Sequence, residues 1–187
     1  MAKRLFDSIA SLFALLLFGW LIVLFYIWAS IDTSQSGMFT QMRVGQYGKL
    51  FKIYKLKTMT HDTEGKSKIS ALGRFLRKYK VDELPQLYNI LKGDMSFVGP
   101  RPDIPGYYDK LVGQDRQLLN LKPGLTGPAN IKYWNEEQLL LQQQDPLKYN
   151  DEILFPDKVK INLEYQRKQT FWLDIKIIIY TLLRRNL

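Results

Sequence analysis

Residues 81–103 read VDELPQLYNILKGDMSFVGPRPD, and the rest of the chain is arranged around what this stretch can fold into. Two adjacent acids, Asp82 and Glu83, precede a short helical pattern that Gly93 closes. Asp82 is the expected cap of that helix. Glu83 then lies in the first turn, where unpaired amide protons and the helix dipole favour negative charge. Pro85 falls third in the helix, where a missing N–H costs nothing. Leu84, Leu87, Tyr88 and Leu91 repeat at helical spacing and predict one apolar face. Beyond Gly93, Asp94, Ser96, Arg101 and Asp103 are set among Gly99, Pro100 and Pro102. Acids are common in first helical turns for structural reasons alone, so the pair by itself is not a site. Its setting points further: carboxylates beside arginine and glycine-rich turns suit a divalent cation and phosphates. Hard cations take carboxylate oxygens, and arginine grips phosphate with two donors.

Upstream, no charged residue occurs from Ser8 to Ile31, and most positions are Leu, Phe, Ile, Val, Trp or Ala. Roughly 20 such residues in a helix match the hydrocarbon core of a bilayer. The run is too long for a cleaved leader and lacks its small-residue cleavage site, so with the basic MAKR flank it reads as a retained anchor. Asp7 suits an interfacial position. Lys3 and Arg4 precede the run, while Arg43, Lys49, Lys52, Lys55 and Lys57 follow it. The positive-inside tendency therefore asks for both ends on the cytoplasmic side. A helix that bends and returns satisfies this and a straight span does not. Gly19 is the one residue to mark a bend, and both topologies stay open here.

The 187 residues make one domain's worth of chain, and 27 Lys and Arg against 18 Asp and Glu give a net charge of +9. That balance predicts anionic partners. With no cysteine, disulfides, thiol catalysis and Cys-bound zinc are excluded. The single histidine, His61 in the polar stretch THDTEGK, reads as a solvated loop residue.

Between anchor and dyad, DTSQSG (32–37) is a polar linker, and MFTQMRV and LFKIYKLKTM read as two strands joined by GQYGK. The lysines at 49, 52, 55 and 57 make either a solvated basic face or a contact for anionic lipid or a nucleotide diphosphate. Residues 60–68 read as a loop. Ser70 caps the next predicted helix, whose stripe is Leu72, Phe75, Leu76 and Tyr79 and whose other side carries Arg74, Arg77, Lys78 and Lys80. Such a helix lies at a membrane surface or on a core, and in either case brings Arg77 and Lys80 near the acids. Further on, 105–121 predicts a helix, 122–128 a punctuated loop, 134–152 a polar helical region and 157–169 one helix. FWLDIKIIIYTLLRR (171–185) is too short and too interrupted to cross a bilayer. It reads as interfacial or core-packed, with Trp172 and Tyr180 near headgroups and Arg184 and Arg185 meeting anionic lipid.

The segments FTQMRVG (39–45), FKIYKLKTM (51–59), VDELPQLYNILKGDMSFVGPRP (81–102), KPGLTG (122–127) and FWLDIKI (171–177) together resemble the bacterial sugar transferases. These are monotopic polyprenyl-phosphate phosphoglycosyl transferases that begin surface-glycan assembly. The resemblance implies the small form of that family, a catalytic module without the multi-span N-terminal extension. It implies a mostly α fold with a small β-hairpin, a re-entrant (alternatively spanning) hydrophobic helix in an anchor over 1–36, and amphipathic interfacial helices. A membrane-associated catalytic domain over 37–187 would lie on the cytoplasmic face of the inner membrane.

It further implies that Asp82 is the nucleophile and Glu83 its partner. They would take sugar 1-phosphate from a UDP-sugar, release UMP and hand it to polyprenyl (undecaprenyl) phosphate through a phosphosugar-aspartyl intermediate. Magnesium would assist, held by Asp82 and Glu83 with Asp94 a further candidate. Arg101 is the implied phosphate clamp, followed by Arg77, Lys80 and Lys57, while Lys122 and Thr126 border the nucleotide or sugar. Two positions depart from the family pattern. Gly19-Trp20 stands where a Ser-Pro pair usually breaks the membrane helix, and Asn162 stands where relatives more often carry an acid. A non-catalytic membrane scaffold is the alternative reading. A nucleic-acid binder rests on charge alone and finds no motif, so no nucleic acid is expected. The sugar and the oligomeric state, homodimer included, stay open.

Overall fold

The apolar run near the N-terminus folds as one helix, α1 (Ala2–Thr33), about 48 Å long at 1.5 Å per residue. The structure is a computed structural model that describes residues 2–61 and 67–183, with His61 described in its backbone only. It is mostly helical, with three two-stranded sheets among the described residues. Arg184 and Arg185, to which the sequence assigned lipid contacts, lie outside the described residues, as does the His61 side chain. The chain divides into two compact units, Met1–Arg43 with Phe51–Met95 and Val44–Leu50 with Ser96–Leu187.

In the first unit, α1 is the one helix among the described residues long and apolar enough to cross a membrane. It continues through Gly19, where an added side chain would meet nothing within 4 Å. Both of its ends are held. Near the start, Asp7 and Ser11 are buried, where the first turns of α1 lie on a later helix. Near the end, Phe25 packs with Leu56, Leu72 and Leu76. Between them Phe13, Leu16 and Trp20 are exposed.

β1 (Met38–Val44) and β2 (Leu50–Leu56) pair as predicted. The expected loop over 60–68 is instead flanked by a short antiparallel pair, β3 (Met59–His61) and β4 (Ser67–Ile69), with Thr60 opposite Lys68. Three-residue strands carry too little alternation to be read in advance. In α2 (Ala71–Lys78), Ser70 caps as expected, its hydroxyl oxygen accepting from the Gly73 amide at 2.8 Å. The predicted stripe divides. Leu72 and Leu76 enter the core, whereas Phe75 and Tyr79 stay exposed with their rings 5.0 Å apart.

The helix after the dyad starts later than predicted. Val81–Glu83 is a 3-10 turn, and α3 (Gln86–Lys92) begins after Pro85. Lys80, held left-handed (φ 57°), reverses the chain at the end of α2, so Asp82 lies inside a tight turn rather than at a helix cap. Gly93 closes α3 as expected, with φ 98°. The buried side of α3 is Gln86, Leu87, Asn89 and Ile90, and Tyr88 is exposed, its ring meeting Tyr54 edge-on. Asn89 is buried because it completes β2: its Nδ2 donates to the Lys52 carbonyl at 2.8 Å, and its Oδ1 accepts from the Tyr54 amide at 3.3 Å. At the other end, Arg4 donates through Nη1 and Nη2 to the Ile90 and Leu91 carbonyls at 2.6 and 2.7 Å. A charged fork thereby satisfies carbonyls that the helix itself leaves open.

In the second unit, KPGLTG is not only a loop. β5 (Ser96–Val98) and β6 (Gly124–Thr126) run parallel, with Ser96 opposite Gly124 and Val98 opposite Thr126. A Cβ at Gly99 would collide with the Lys122 carbonyl, and one at Gly127 with that of Gly99, so the backbones approach as only glycine allows. The helix predicted over 105–121 is absent. Pro105, Gly106 (φ 111°) and Gly113 (φ 58°) leave only 3-10 turns at Tyr108–Lys110 and Asp115–Asn120. After that segment comes α4 (Pro128–Lys132), and the polar region 134–152 is helical in pieces, α5 (Glu136–Leu141), α6 (Pro146–Tyr149) and a π-helical turn at Asn150–Leu154. α7 (Phe155–Lys168) and α8 (Phe171–Leu183) follow as expected. Val44, Tyr108, Leu118, Leu119 and Val159 form one core, and Val98, Ile131, Tyr165 and Ile177 another. α8 buries Asp174 and Ile177 and leaves Trp172 and Leu182 exposed.

Removing the clasp on α3 is expected to be costly. Arg4→Ala should lower the unfolding free energy by about 1.5–3 kcal/mol, the range for hydrogen bonds to a charged donor. Denaturant unfolding in lipid nanodiscs reads this, and an unchanged midpoint would show the clasp to be idle.

Candidate active site

Asp82 and Glu83 are both buried, each 7% exposed, which is unfavourable for adjacent carboxylates unless cations accompany them. Three do. Lys55 on β2 places its Nζ 2.9 Å from Glu83 Oε1. Arg77, in the last turn of α2, donates from Nε to Thr58 Oγ1 at 3.0 Å, and with Lys80 it acts on the Asp82 charge, as the sequence predicted for both. Burial, and after it the Glu83 charge, push the Asp82 carboxyl up to about 6, against the opposing pull of Lys55, Lys80 and Arg77. This corrects the expectation that a helix N-terminus keeps the acid ionised: the helical start is a 3-10 turn, and the cations do that work instead. At pH 7 roughly 90% of Asp82 is still a carboxylate. Its Oδ1 is buried without a hydrogen-bond partner.

Among the described residues no group of three or more His, Asp or Glu is placed to hold a metal. Magnesium needs fewer, because it keeps several waters and takes further oxygens from substrate phosphates. The unpartnered Asp82 oxygen beside Glu83 fits that donor set. Asp94, by contrast, is engaged with Lys92 Nζ at 3.0 Å.

The other predicted residues are placed as follows. The Lys57 ammonium donates to Gln35 Oε1. Arg101, Lys122 and Thr126 belong to the second unit. Arg101 is exposed in the turn after β5, and Lys122 is half-buried. The Thr126 hydroxyl is 2.6 Å from that of Thr181, which itself donates to the Ile177 carbonyl at 2.8 Å. Thr126 therefore donates its proton to Thr181 and holds β6 to α8. Asn162 is buried in the second unit, donating to the Tyr108 hydroxyl at 3.2 Å, with its own Oδ1 unpartnered. A surface depression of about 410 Å³ in that unit, lined by Tyr107, Lys110, Asp151 and Phe155, contains none of the predicted residues.

Sequence reasoning treated Lys55 as one lysine among four. Its signal was parity: Phe51, Ile53 and Lys55 share one face of β2, and the first two are buried. Asn89 and Gln86 carried no such signal, since buried amides interrupt an apolar pattern without announcing a partner.

Comparison with known proteins adds the following. A family model described as bacterial sugar transferase matches residues 1–185. The galactosyl transferase CpsE of Streptococcus agalactiae is 33% identical over 97% of this chain, which spans 41% of that protein. An uncharacterized sugar transferase of Bacillus subtilis, EpsL, is 33% identical over 96% of this chain and is matched over 84% of its own length. A Klebsiella pneumoniae protein named UDP-glucose:undecaprenyl-phosphate glucose-1-phosphate transferase is 33% identical over 97% of this chain, with 39% of that protein covered. The chain thus spans about two fifths of two of these three relatives.

The dyad makes stability depend on pH. A carboxyl whose folded-state pKa of about 6 exceeds its ordinary value of 3.8 binds its proton more tightly when folded. Its contribution to stability is full below pH 3.8 and is lost as pH rises to about 6. With divalent cations chelated, Asp82→Asn should raise unfolding free energy at pH 7.5 by about 2–3 kcal/mol and flatten this dependence. Lys55→Met should cost about 2–4 kcal/mol by stranding Glu83, whereas Lys57→Met should stay within about 0.5. Denaturation across pH checks both, and equal effects of the two lysine changes would refute the pairing.

Proposed function

The chain belongs to the bacterial sugar transferase family, and from that premise we propose that it moves sugar 1-phosphate from a UDP-sugar to a polyprenyl phosphate. The Klebsiella relative's name states undecaprenyl phosphate as acceptor for that protein, and the same acceptor is proposed here. The observation that carries the reading is the Asp82 carboxylate, buried with one oxygen unpartnered and three cations around it, in the unit that holds the membrane helix.

Asp82 is the nucleophile. One of its oxygens bonds to the sugar-linked phosphorus while the bridging P–O bond breaks, and that electron pair leaves with UMP. Polyprenyl phosphate then attacks the phosphosugar-aspartyl intermediate, and the electron pair of the breaking bond returns to Asp82. Neither step moves a proton, so the site has no need of a general base. Lys55, Lys80 and Arg77 reduce the repulsion between the attacking carboxylate and an anionic diphosphate. Glu83 is kept in place by Lys55. Asp82 and Glu83 would hold magnesium, which would supply further positive charge.

The anchor is assigned a re-entrant path on the cytoplasmic face of the inner membrane. Its support is that α3 binds Arg4 and that α2 and β2 pack on Phe25, so one unit holds both ends of α1. A straight span would carry Arg4 across the bilayer from the unit it is bonded to. The bend falls at Gly19-Trp20, as a kink inside a continuous helix.

Purified protein with magnesium, undecaprenyl phosphate and a panel of UDP-sugars should release UMP from at least one of them. Asp82→Asn should reduce that release to background and leave no trapped phosphosugar adduct. Silence of the wild type across the panel would end the proposal. For the anchor, cysteine introduced at Ala2 or at Ser36 in this cysteine-free chain should be protected from a membrane-impermeant periplasmic label in both cases. Labelling at Ala2 alone would mean a span.

A further inference from the structure

Gln86 opens α3 and is 2% exposed, among the buried side chains of the first unit. Its Nε2 is buried and has no hydrogen-bond partner. Folded proteins rarely leave a buried amide donor unanswered, and such a group calls for a water or a ligand. Asn89, one turn later, shows what an answered amide looks like here, with both its nitrogen and its oxygen bonded to β2. Packing alone would favour an apolar side chain at position 86, as at Leu87 and Ile90.

The second observation is its neighbour. Asp82 Oδ1 is also buried and also unpartnered. The two residues lie four apart on one run of helical backbone, continued between the 3-10 turn and α3 by Leu84 and Pro85, both in right-handed helical conformation. One lacks a donor and the other lacks an acceptor, yet they are not bonded to each other. A phosphoryl group brought to Asp82 has oxygens that accept, which the carboxylate's own surroundings do not offer to Gln86.

We propose that Gln86 is a catalytic residue of this site, its Nε2 donating to a non-bridging oxygen of the phosphorus that Asp82 attacks. This rests on the reading of Asp82 as nucleophile. No bond to Gln86 forms or breaks; the amide holds the phosphoryl group and stabilises charge that shifts onto its oxygens during transfer. A neutral donor suits the task. An amide adds a hydrogen bond without adding to the charge already supplied by Lys55, Lys80 and Arg77.

The test is exchange of labelled UMP into the UDP-sugar that the wild type turns over, without lipid acceptor, which isolates the first half of the reaction. Gln86→Met keeps the side chain's length and removes the donor. It should slow exchange roughly 10- to 100-fold with KM for the UDP-sugar changed less than about threefold. The thermal midpoint should hold or rise, because an apolar group replaces a donor with nothing to bond. Gln86→Glu, of the same shape without the donor, should slow exchange as well. Exchange within about twofold of wild type in a folded variant would overturn the proposal. So would activity that falls only in step with the thermal midpoint, which is what a packing role predicts. Wild-type protein with no exchange would instead remove the nucleophile reading, and this inference with it; wild-type exchange with Gln86→Met unaffected removes this inference alone.

Discussion

The Asn89 side chain is the constraint on which the arrangement of the first unit depends. Its amide takes the place of a neighbouring strand at the edge of β2, giving the Lys52 carbonyl a donor and the Tyr54 amide an acceptor. Without it, a helix residue would cover two backbone groups and leave them unanswered, a cost comparable to losing the bonds outright. Because Lys55 directly follows Tyr54, the contact that seats α3 on β2 also sets the position of the cation paired with Glu83. The 3-10 turn that holds the acids runs straight into α3, so the dyad and its counter-ion share one anchor point. Asn89 also gathers the chain beyond the helix, since its carbonyl accepts from the amides of Gly93, Asp94 and Met95.

The long N-terminal helix also holds the elements around the dyad. Its Arg4 closes the open end of α3 only two residues past Asn89. The far end of the same helix contributes Phe25 to the cluster beneath α2, whose last turn supplies Arg77. The two helices that frame the acids are therefore each packed on α1. In the basic N-terminal flank, one guanidinium supplies by its planar geometry the bonds that close α3.

What was legible in the sequence follows the range of the interactions involved. Ser70 as a cap, Gly93 as a helix stop, the β1–β2 pairing and the closeness of Arg77 and Lys80 to the acids all rest on residues near one another in the chain. The dyad was legible for the same reason. Features set by distant partners were not. Asp82 was misread as a cap because Lys80 turns left-handed at the end of α2, which the local pattern does not announce. β5 and β6 pair across 25 intervening residues, and three-residue strands show no alternation to betray them. The helix expected over 105–121 matched an apolar rhythm, but Gly106 and Gly113 take conformations that no helix accommodates.

The charge state of Asp82 is set by its burial and its charged neighbours together. Burial raises its carboxyl and three cations lower it, and the balance lies at about 6, just under neutrality. A less buried acid would be solvated and ionised at all physiological pH. A more buried one, or one with fewer cations, would hold its proton at neutral pH. The fold is destabilised by keeping that oxygen unpartnered, and it offsets the loss elsewhere in the same unit, through Asn89 on β2 and Arg4 on α3. Chain elements with no chemistry of their own are thus what make a buried, unpartnered carboxylate tolerable, and the contacts that seat α3 lie on the helix that directly follows it.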